Sequence, residues 1–289
     1  MDWRKTNPDY IPYEEILKVI LERKLKASKN DDEKKKIKSV FSYKEKGDSG
    51  LLPDRWAYIA LDKLCDSFQY GTSKKSVKCG DVPVLRMGNV QNGKIDWTDL
   101  VFSTDQKEIE KYRLSPGDVI FNRTNSPELV GKTAIYRGER PAIFAGYLIR
   151  INNYNELNSE YLNLCLNSEY ARNFCSREKT DGVSQSNINA KKLGKFEVPY
   201  PPIDEQKEIV RRVESLFVLA DQIEARYQNA RTHVDHLTQS ILAKAFRGEL
   251  VAQDPGDPPA SELLKQIQAE REKQQSGPRK AGKRGPGHQ

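Results

Sequence analysis

A narrow apolar stripe runs through the C-terminal third of the chain. After Pro201-Pro202-Ile203-Asp204-Glu205-Gln206, apolar residues recur at Ile209, Val213, Leu216, Ala220, Ile223, Tyr227, Ala230, Val234, Leu237 and Ile241. The steps alternate four and three residues, which is the a/d spacing of a coiled coil held over about five heptads. Asp204 stands where an N-cap is expected and Gly248 where a C′ residue is expected. The pattern predicts a helix over 204–247, a rod of ~65 Å at 1.5 Å per residue, within a spacer over 204–250. A stripe this narrow cannot bury itself, so Val213, Leu216, Ile223, Tyr227, Val234, Leu237 and Ile241 form a candidate helix interface. Specificity then has to reside in the residues ahead of the helix.

Those residues read as a mixed α+β domain over 51–203, behind a helical and charged lead-in over 1–50. In the lead-in, a helix is expected over Tyr13–Ala27, with Ile16, Leu17, Ile20 and Leu21 on one face. A polar run, Lys29 to Lys38, follows, and Gly47-Asp48-Ser49-Gly50 reads as a linker. Candidate strands are Ala57–Leu61, Val82–Met87, Val119–Phe121, Thr133–Tyr136, Tyr147–Ile151 and Lys195–Pro199, bounded by turns such as Asn92-Gly93 and Ser115-Pro116-Gly117-Asp118. One helix is expected to start at the capping pattern Ser103-Thr104-Asp105-Gln106. A second is expected from about Ser159 to Ser176, with Leu162, Cys165, Leu166 and Phe174 facing inward. Strands and helices do not alternate regularly, so a doubly wound sheet is disfavoured. No internal repeat marks two copies of the globular domain. Residues 251–289 read as a short charged helix and a disordered basic tail.

Chemistry-bearing motifs are missing. Gly131-Lys132-Thr133 resembles the end of a phosphate-binding loop, but Ser126 stands where the loop needs its first glycine. Asn7-Pro8-Asp9-Tyr10 lacks one proline of the amino-methyltransferase motif, and no Gly-rich cofactor loop follows a strand, so no cofactor is expected. The domain holds no histidine, which argues against a Ser-His or Cys-His nucleophile. His233 and His236 are three apart on the long helix with no third ligand, and Asp118 is most simply a turn residue, so no metal site is expected. Cys65, Cys79, Cys165 and Cys175 are scattered and read as reduced thiols. With no apolar run long enough for a bilayer and no apolar N-terminal stretch, a cytoplasmic protein is expected.

The domain is rich instead in loops suited to a polyanion. Net charge is +7, a balance that favours nucleic acid or an acidic surface as partner. Four polar loops carry the candidate DNA contacts: Lys74 and Lys75; Arg86, Asn89 and Gln91; Arg123, Thr124, Asn125 and Ser126, with Lys132 beyond; and Ser184, Gln185 and Asn187. Arg forks onto guanine, Asn or Gln onto adenine, and Lys, Ser and Thr suit phosphate oxygens.

Here the residues resemble a family. Leu51-Leu52-Pro53-Asp54-Arg55-Trp56 and Leu114-Ser115-Pro116-Gly117-Asp118-Val119-Ile120-Phe121-Asn122-Arg123-Thr124-Asn125 are similar to the target recognition domain of the specificity (S) subunit of type I restriction–modification systems. Val198-Pro199-Tyr200-Pro201-Pro202-Ile203-Asp204-Glu205-Gln206 resembles its junction into a conserved spacer helix. Leu242-Ala243-Lys244-Ala245-Phe246-Arg247-Gly248-Glu249-Leu250 resembles the end of that helix, and Asp257-Pro258-Pro259-Ala260-Ser261-Glu262-Leu263-Leu264 its tail. The resemblance implies a non-catalytic subunit that binds double-stranded DNA. It works with methyltransferase (M) subunits, which methylate adenine, and a motor/nuclease (R) subunit. The usual member carries two recognition domains and reads a bipartite target. With one domain and one long helix, this chain is expected to be a half-subunit or a fragment, able to restore the pair as a homodimer through the stripe. The competing reading is a coiled-coil scaffold that binds protein without selecting DNA sequences.

Overall fold

The computed structural model describes residues 3–42, 52–183, 185–252 and 254–276, with the side chains of 274–276 outside the description. The Gly47–Gly50 linker, Ser184 and the basic tail Arg279–Arg284 therefore lie outside the described residues. The chain divides into two compact units, Met1–Phe217 and Val218–Gln289.

The first unit is built on a four-stranded antiparallel sheet in the order Cys65–Tyr70, Leu148–Asn153, Val119–Asn122, Thr133–Ile135. Successive side chains of a strand point to opposite faces, and both faces of this sheet are covered. Val119, Phe121, Ile135, Ile149 and Ile151 enter one core with Leu162 and Phe196. Ile120, Ala134 and Leu148 enter a second core with Leu85 and Phe144. Burial on both faces explains why Val119–Phe121 reads as an unbroken apolar run. The strand Cys65–Tyr70 escaped the sequence reading. It is an edge strand, and its Asp66 and Ser67 are exposed.

Smaller sheets surround this one. Ala57–Ala60 pairs antiparallel with Glu197–Tyr200, which closes the start of the domain onto its end. Val82–Leu85 lies between Ile143–Phe144 and Val101–Ser103. Val90–Gln91 and Lys94–Ile95 form a hairpin whose corner, Asn92-Gly93, has φ of +50° and +76°. Those are the left-handed angles that such a dipeptide accommodates.

Several helix boundaries differ from expectation. The segment expected as one helix is two, Ser159–Leu166 and Glu169–Glu178, because Ser168 caps the second through the Ala171 N–H. The helix Gln106–Tyr112 is capped by Asp105, which accepts from Lys107 and Glu108 N–H groups, while Ser103 ends a strand. The polar run after residue 29 is a helix, Asp31–Phe41, capped by Asn30. The helix Tyr13–Ala27 matches expectation and buries Ile16 and Ile20 in the first core, beside Leu61 and Leu64. Each such side chain contributes about 1.5–3 kcal/mol by leaving water.

The long helix runs Ile203–Phe246, 44 residues, so Asp204 lies in its first turn rather than at its cap. Its start is locked by the Pro-Pro-x-x-Glu-Gln element. Gln206 is fully buried; its amide donates to Pro201 O at 3.0 Å and accepts from Asn158 N–H at 2.8 Å. Glu205 accepts from Arg4 Nε at 2.7 Å. Ile209 and Val210 pack on the domain core, so the first position of the heptad stripe is used up there. The helix ends as Gly248 requires, at φ +73°. Gly248 N donates to Ala245 O and Glu249 N to Lys244 O, the paired bonds of a Schellman cap.

Cys65, Cys165 and Cys175 are buried and Cys79 is exposed, all as free thiols. Burial pushes the thiols of Cys165 and Cys175 up to about 12. Among the described residues no helix is long and apolar enough to cross a membrane.

Candidate nucleic-acid interface

Two of the four polar loops become one small sheet. The chain leaves the central sheet at Asn122 and continues through Arg123 into Thr124–Asn125. That strand pairs with Ser186–Asn187, which pairs in turn with Thr180–Asp181, in the register Thr124↔Asn187 and Asp181↔Ser186. Asn187 Nδ2 donates to Thr124 Oγ1 at 2.8 Å, and Ile188 N to Arg123 O at 2.9 Å. The Ser186 hydroxyl donates to Asp181 and, with the Lys179 ammonium, holds that carboxyl below its ordinary range. Gln185 is exposed beside the tip of this hairpin.

A third loop joins them at Tyr70. The Arg123 guanidinium sits 4.9 Å from the centre of the Tyr70 ring, within the range of a cation–π contact. Its Nη1 donates to Gly146 O at 3.3 Å, and its backbone N to Tyr147 O at 3.0 Å. The Tyr70 hydroxyl accepts from Ala190 N at 2.9 Å. Gly71 permits the approach, because a Cβ there would stand 2.2 Å from Phe144 O and 2.5 Å from Ala145 O. Residues 70–72, 123–125, 145–147 and 186–190 therefore meet around Arg123. Tyr70 and Tyr147, 40% and 50% exposed, are aromatic faces at this surface that the basic and amide residues of the loops do not mark. The available signal was a tyrosine beside a glycine at a strand end, in Tyr70-Gly71 and Gly146-Tyr147.

The remaining candidates form a second cluster. Gln91 Oε1 accepts from Lys132 Nζ at 2.7 Å, and Lys132 O accepts from Asn122 N at 2.8 Å, which links this cluster to the first. Arg86 pairs with Asp99 at 2.9 Å. Asn89 does not belong to the surface. It is buried, donates to Asp96 O and Thr98 O, and accepts from Arg86 N, each at 2.9 Å. Its amide is saturated by the backbone it staples. Asn125 accepts from Ser126 N at 2.8 Å, closing its own turn.

The two lysines of the 73–76 loop differ. Lys74 Nζ lies 2.5 Å from Asp105 and 3.8 Å from Glu108, and its hydrogen bond to Asp105 raises its pKa while lowering that of Asp105. Lys75 is exposed and outside that pair. His233 and His236 are both exposed on the long helix.

The profile of the type I restriction modification DNA specificity domain matches residues 53–230. The chain belongs to this family. It is 36% identical over 82% of its length to the type I restriction enzyme EcoKI specificity subunit of Escherichia coli K12, covering 55% of that protein. It is 34% identical over 72% of its length to the StySPI specificity subunit of Salmonella potsdam, covering 48% of it. The specificity-domain chain thus spans about half the length of these relatives. Its fold is shared with a chain from a study of complex assembly and conformational transition of the type I R-M system (TM-score 0.55, 20% identity, 82% of this chain and 57% of that one). It is shared too with the HsdS subunit of Thermoanaerobacter tengcongensis (TM-score 0.51, 21% identity, 82% of this chain and 56% of that one).

Proposed function

We propose that this chain is a sequence-specific DNA-binding subunit of a type I restriction–modification complex. The reading is carried by family membership over 53–230, where three polar loops gather around Arg123. Arg123 reads a base edge, Tyr70 holds it rigid, and Gln185 and Asn187 flank it. Lys75, Lys132 and Lys74 serve phosphate oxygens, with Arg86, Gln91, Thr124, Asn125 and Ser126 as auxiliary polar contacts. The chain supplies recognition, and methyltransferase and motor/nuclease subunits supply the chemistry. The recognition domain corresponds to 51–203 and the spacer to 204–250.

The spacer stripe supports pairing with another helix. Leu216, Ile223, Tyr227, Val234, Leu237 and Ile241 are between 44% and 64% exposed, and Val213 is half-buried. Two copies packed isologously through these residues would carry two identical recognition domains and read an inverted repeat with a non-specific gap.

The deciding experiment is selection of bound sites from random duplex DNA by the purified chain, with and without its methyltransferase partner. An enriched inverted repeat with a fixed gap supports both recognition and pairing. An enriched single half-site supports recognition alone. No enrichment in either setting sinks the reading in favour of a protein-binding scaffold.

A further inference from the structure

The exposed apolar groups of the recognition domain are unevenly placed. Among the described residues of 52–203, the large apolar or aromatic side chains that reach solvent are Tyr70, Val77, Leu129, Tyr147, Tyr170 and Val183. Tyr70, Tyr147 and Val183 lie on segments that meet around Arg123. The two tyrosine segments are tied to the arginine itself, Tyr70 through its ring and Tyr147 through its carbonyl. Val183 has no such task.

Val183 stands at the turn of the hairpin that joins Thr180–Asp181 to Ser186–Asn187. Gly182 N donates to Gln185 O at 2.8 Å and closes that turn. The hairpin is fixed beside the arginine, because Ser186 pairs with Asn125, Asn187 with Thr124, and Ile188 N donates to Arg123 O at 2.9 Å. Turns of this kind favour Gly, Pro, Asn, Asp or Ser. A β-branched aliphatic residue breaks that rule, and such local breaks concentrate at functional sites. Val183 is fully exposed, so packing within the domain does not account for it. The nearby Asp181 carboxylate is offset by the Lys179 ammonium at 3.4 Å and accepts from the Ser186 hydroxyl. The tip therefore offers an apolar group to a polyanion without an uncompensated negative charge.

The major groove of a duplex admits a two-stranded ribbon, and the apolar group that the base edges present there is the C5-methyl of thymine. Side chains that wedge between base steps are instead Phe, Leu, Ile, Met or Pro, working from the minor groove. Valine is short, and its β-branch confines its two methyl groups to few rotamers, which suits a small fixed contact. We propose that the 180–187 hairpin enters the major groove and that Val183 reads the C5-methyl group of a thymine in the target. The proposal deepens the specificity reading and rests on it. At ~3.3 Å per residue the tip lies up to ~16 Å along the hairpin from the Ile188–Arg123 bond, the length of about five base pairs.

Uracil substitution isolates the methyl group. Selection of sites from random duplex DNA by the full chain supplies the target and tests the specificity reading by itself. Each thymine of that target, on either strand, is then replaced singly by uracil, which lacks only the methyl. The parent is expected to bind one of these duplexes about threefold to tenfold more weakly. That position should lie within about five base pairs of the one at which Arg123→Ala loses discrimination. Val183→Ser removes both methyl groups at an exposed position and is expected to fold like the parent. It should bind the thymine and uracil duplexes equally, whereas Val183→Ile should keep the preference. Equal binding of every uracil duplex by the parent, a preference that Val183→Ser retains, or a target without thymine overturns the proposal and leaves the specificity reading standing. Failure to select any site overturns both.

Discussion

Arg123 is held against the ring of Tyr70 at 4.9 Å, and the same tyrosine accepts from Ala190 N at 2.9 Å across 120 residues of sequence. One aromatic side chain therefore sets both the orientation of the arginine and the position of the segment after the 180–187 hairpin. Orientation decides whether a guanidinium forks onto one base or drifts between phosphates. Arg123→Ala is expected to reduce discrimination between target and single-mismatch duplexes by about 1–3 kcal/mol at one position. Tyr70→Ala is expected to act in the same direction, since it frees the arginine. Equal losses on all duplexes in a competition titration would remove Arg123 from base readout.

Asn89 answers to a different measurement. Replacing it by alanine leaves Asp96 O, Thr98 O and Arg86 N without their partner. Asn89→Ala is expected to cost about 2–3 kcal/mol of folding stability, read from the urea midpoint. Sequence preference in the folded fraction should be unchanged.

The neighbouring lysines should separate in salt titrations. Lys75 is exposed, so Lys75→Ala is expected to lower the slope of log K against log salt by about one unit, equally on all sequences. Lys74 is already committed to Asp105 and Glu108, so Lys74→Ala is expected to change the slope by less. A larger change for Lys74 than for Lys75 would contradict this ranking.

Acid sensitivity should be traceable to the start of the spacer helix. Hydrogen bonds from Arg211, at 2.7 and 2.8 Å, and from Arg212, at 2.7 Å, pull the Glu208 carboxyl from its ordinary 4.5 down to about 2. A carboxyl with a lowered folded pKa stabilises fully above its unfolded value and loses that contribution as pH falls through the folded one. Glu208→Gln is accordingly expected to show a shallower fall in Tm than the parent between pH 4.5 and 2. Parallel curves would rule out this assignment.

The proposed pairing of spacer helices is tested at Leu216 and Ile223, 64% and 57% exposed. Leu216→Glu with Ile223→Glu is expected to give a monomer by sedimentation and much weaker DNA binding. A variant that pairs and binds like the parent would assign the stripe to some other partner.

What the sequence determined by itself was what short-range periodicity and turn chemistry encode. The four-three stripe announced the long helix, Gly248 its end, Asn92-Gly93 a turn, and the run Val119–Phe121 a strand. Family membership was legible in the Pro-Pro-x-x-Glu-Gln and Phe-Arg-Gly-Glu-Leu elements, and the structure supplies the reason for the first: Glu205 and Gln206 are buried polar residues that bind the helix to its domain. The composition of single loops left the site undecided. An asparagine after a strand reads the same whether, like Asn187, it borders a shared sheet or, like Asn89, it is spent on its own backbone. Only tertiary structure distinguishes the two, because hydrogen-bond partners such as Thr124 for Asn187 lie 63 residues away and are chosen by strand pairing. The same holds for the helix faces. Ile20 and Leu216 both lie on the apolar stripe of a helix, yet one is buried and the other 64% exposed, because burial depends on the surface that comes to meet a side chain.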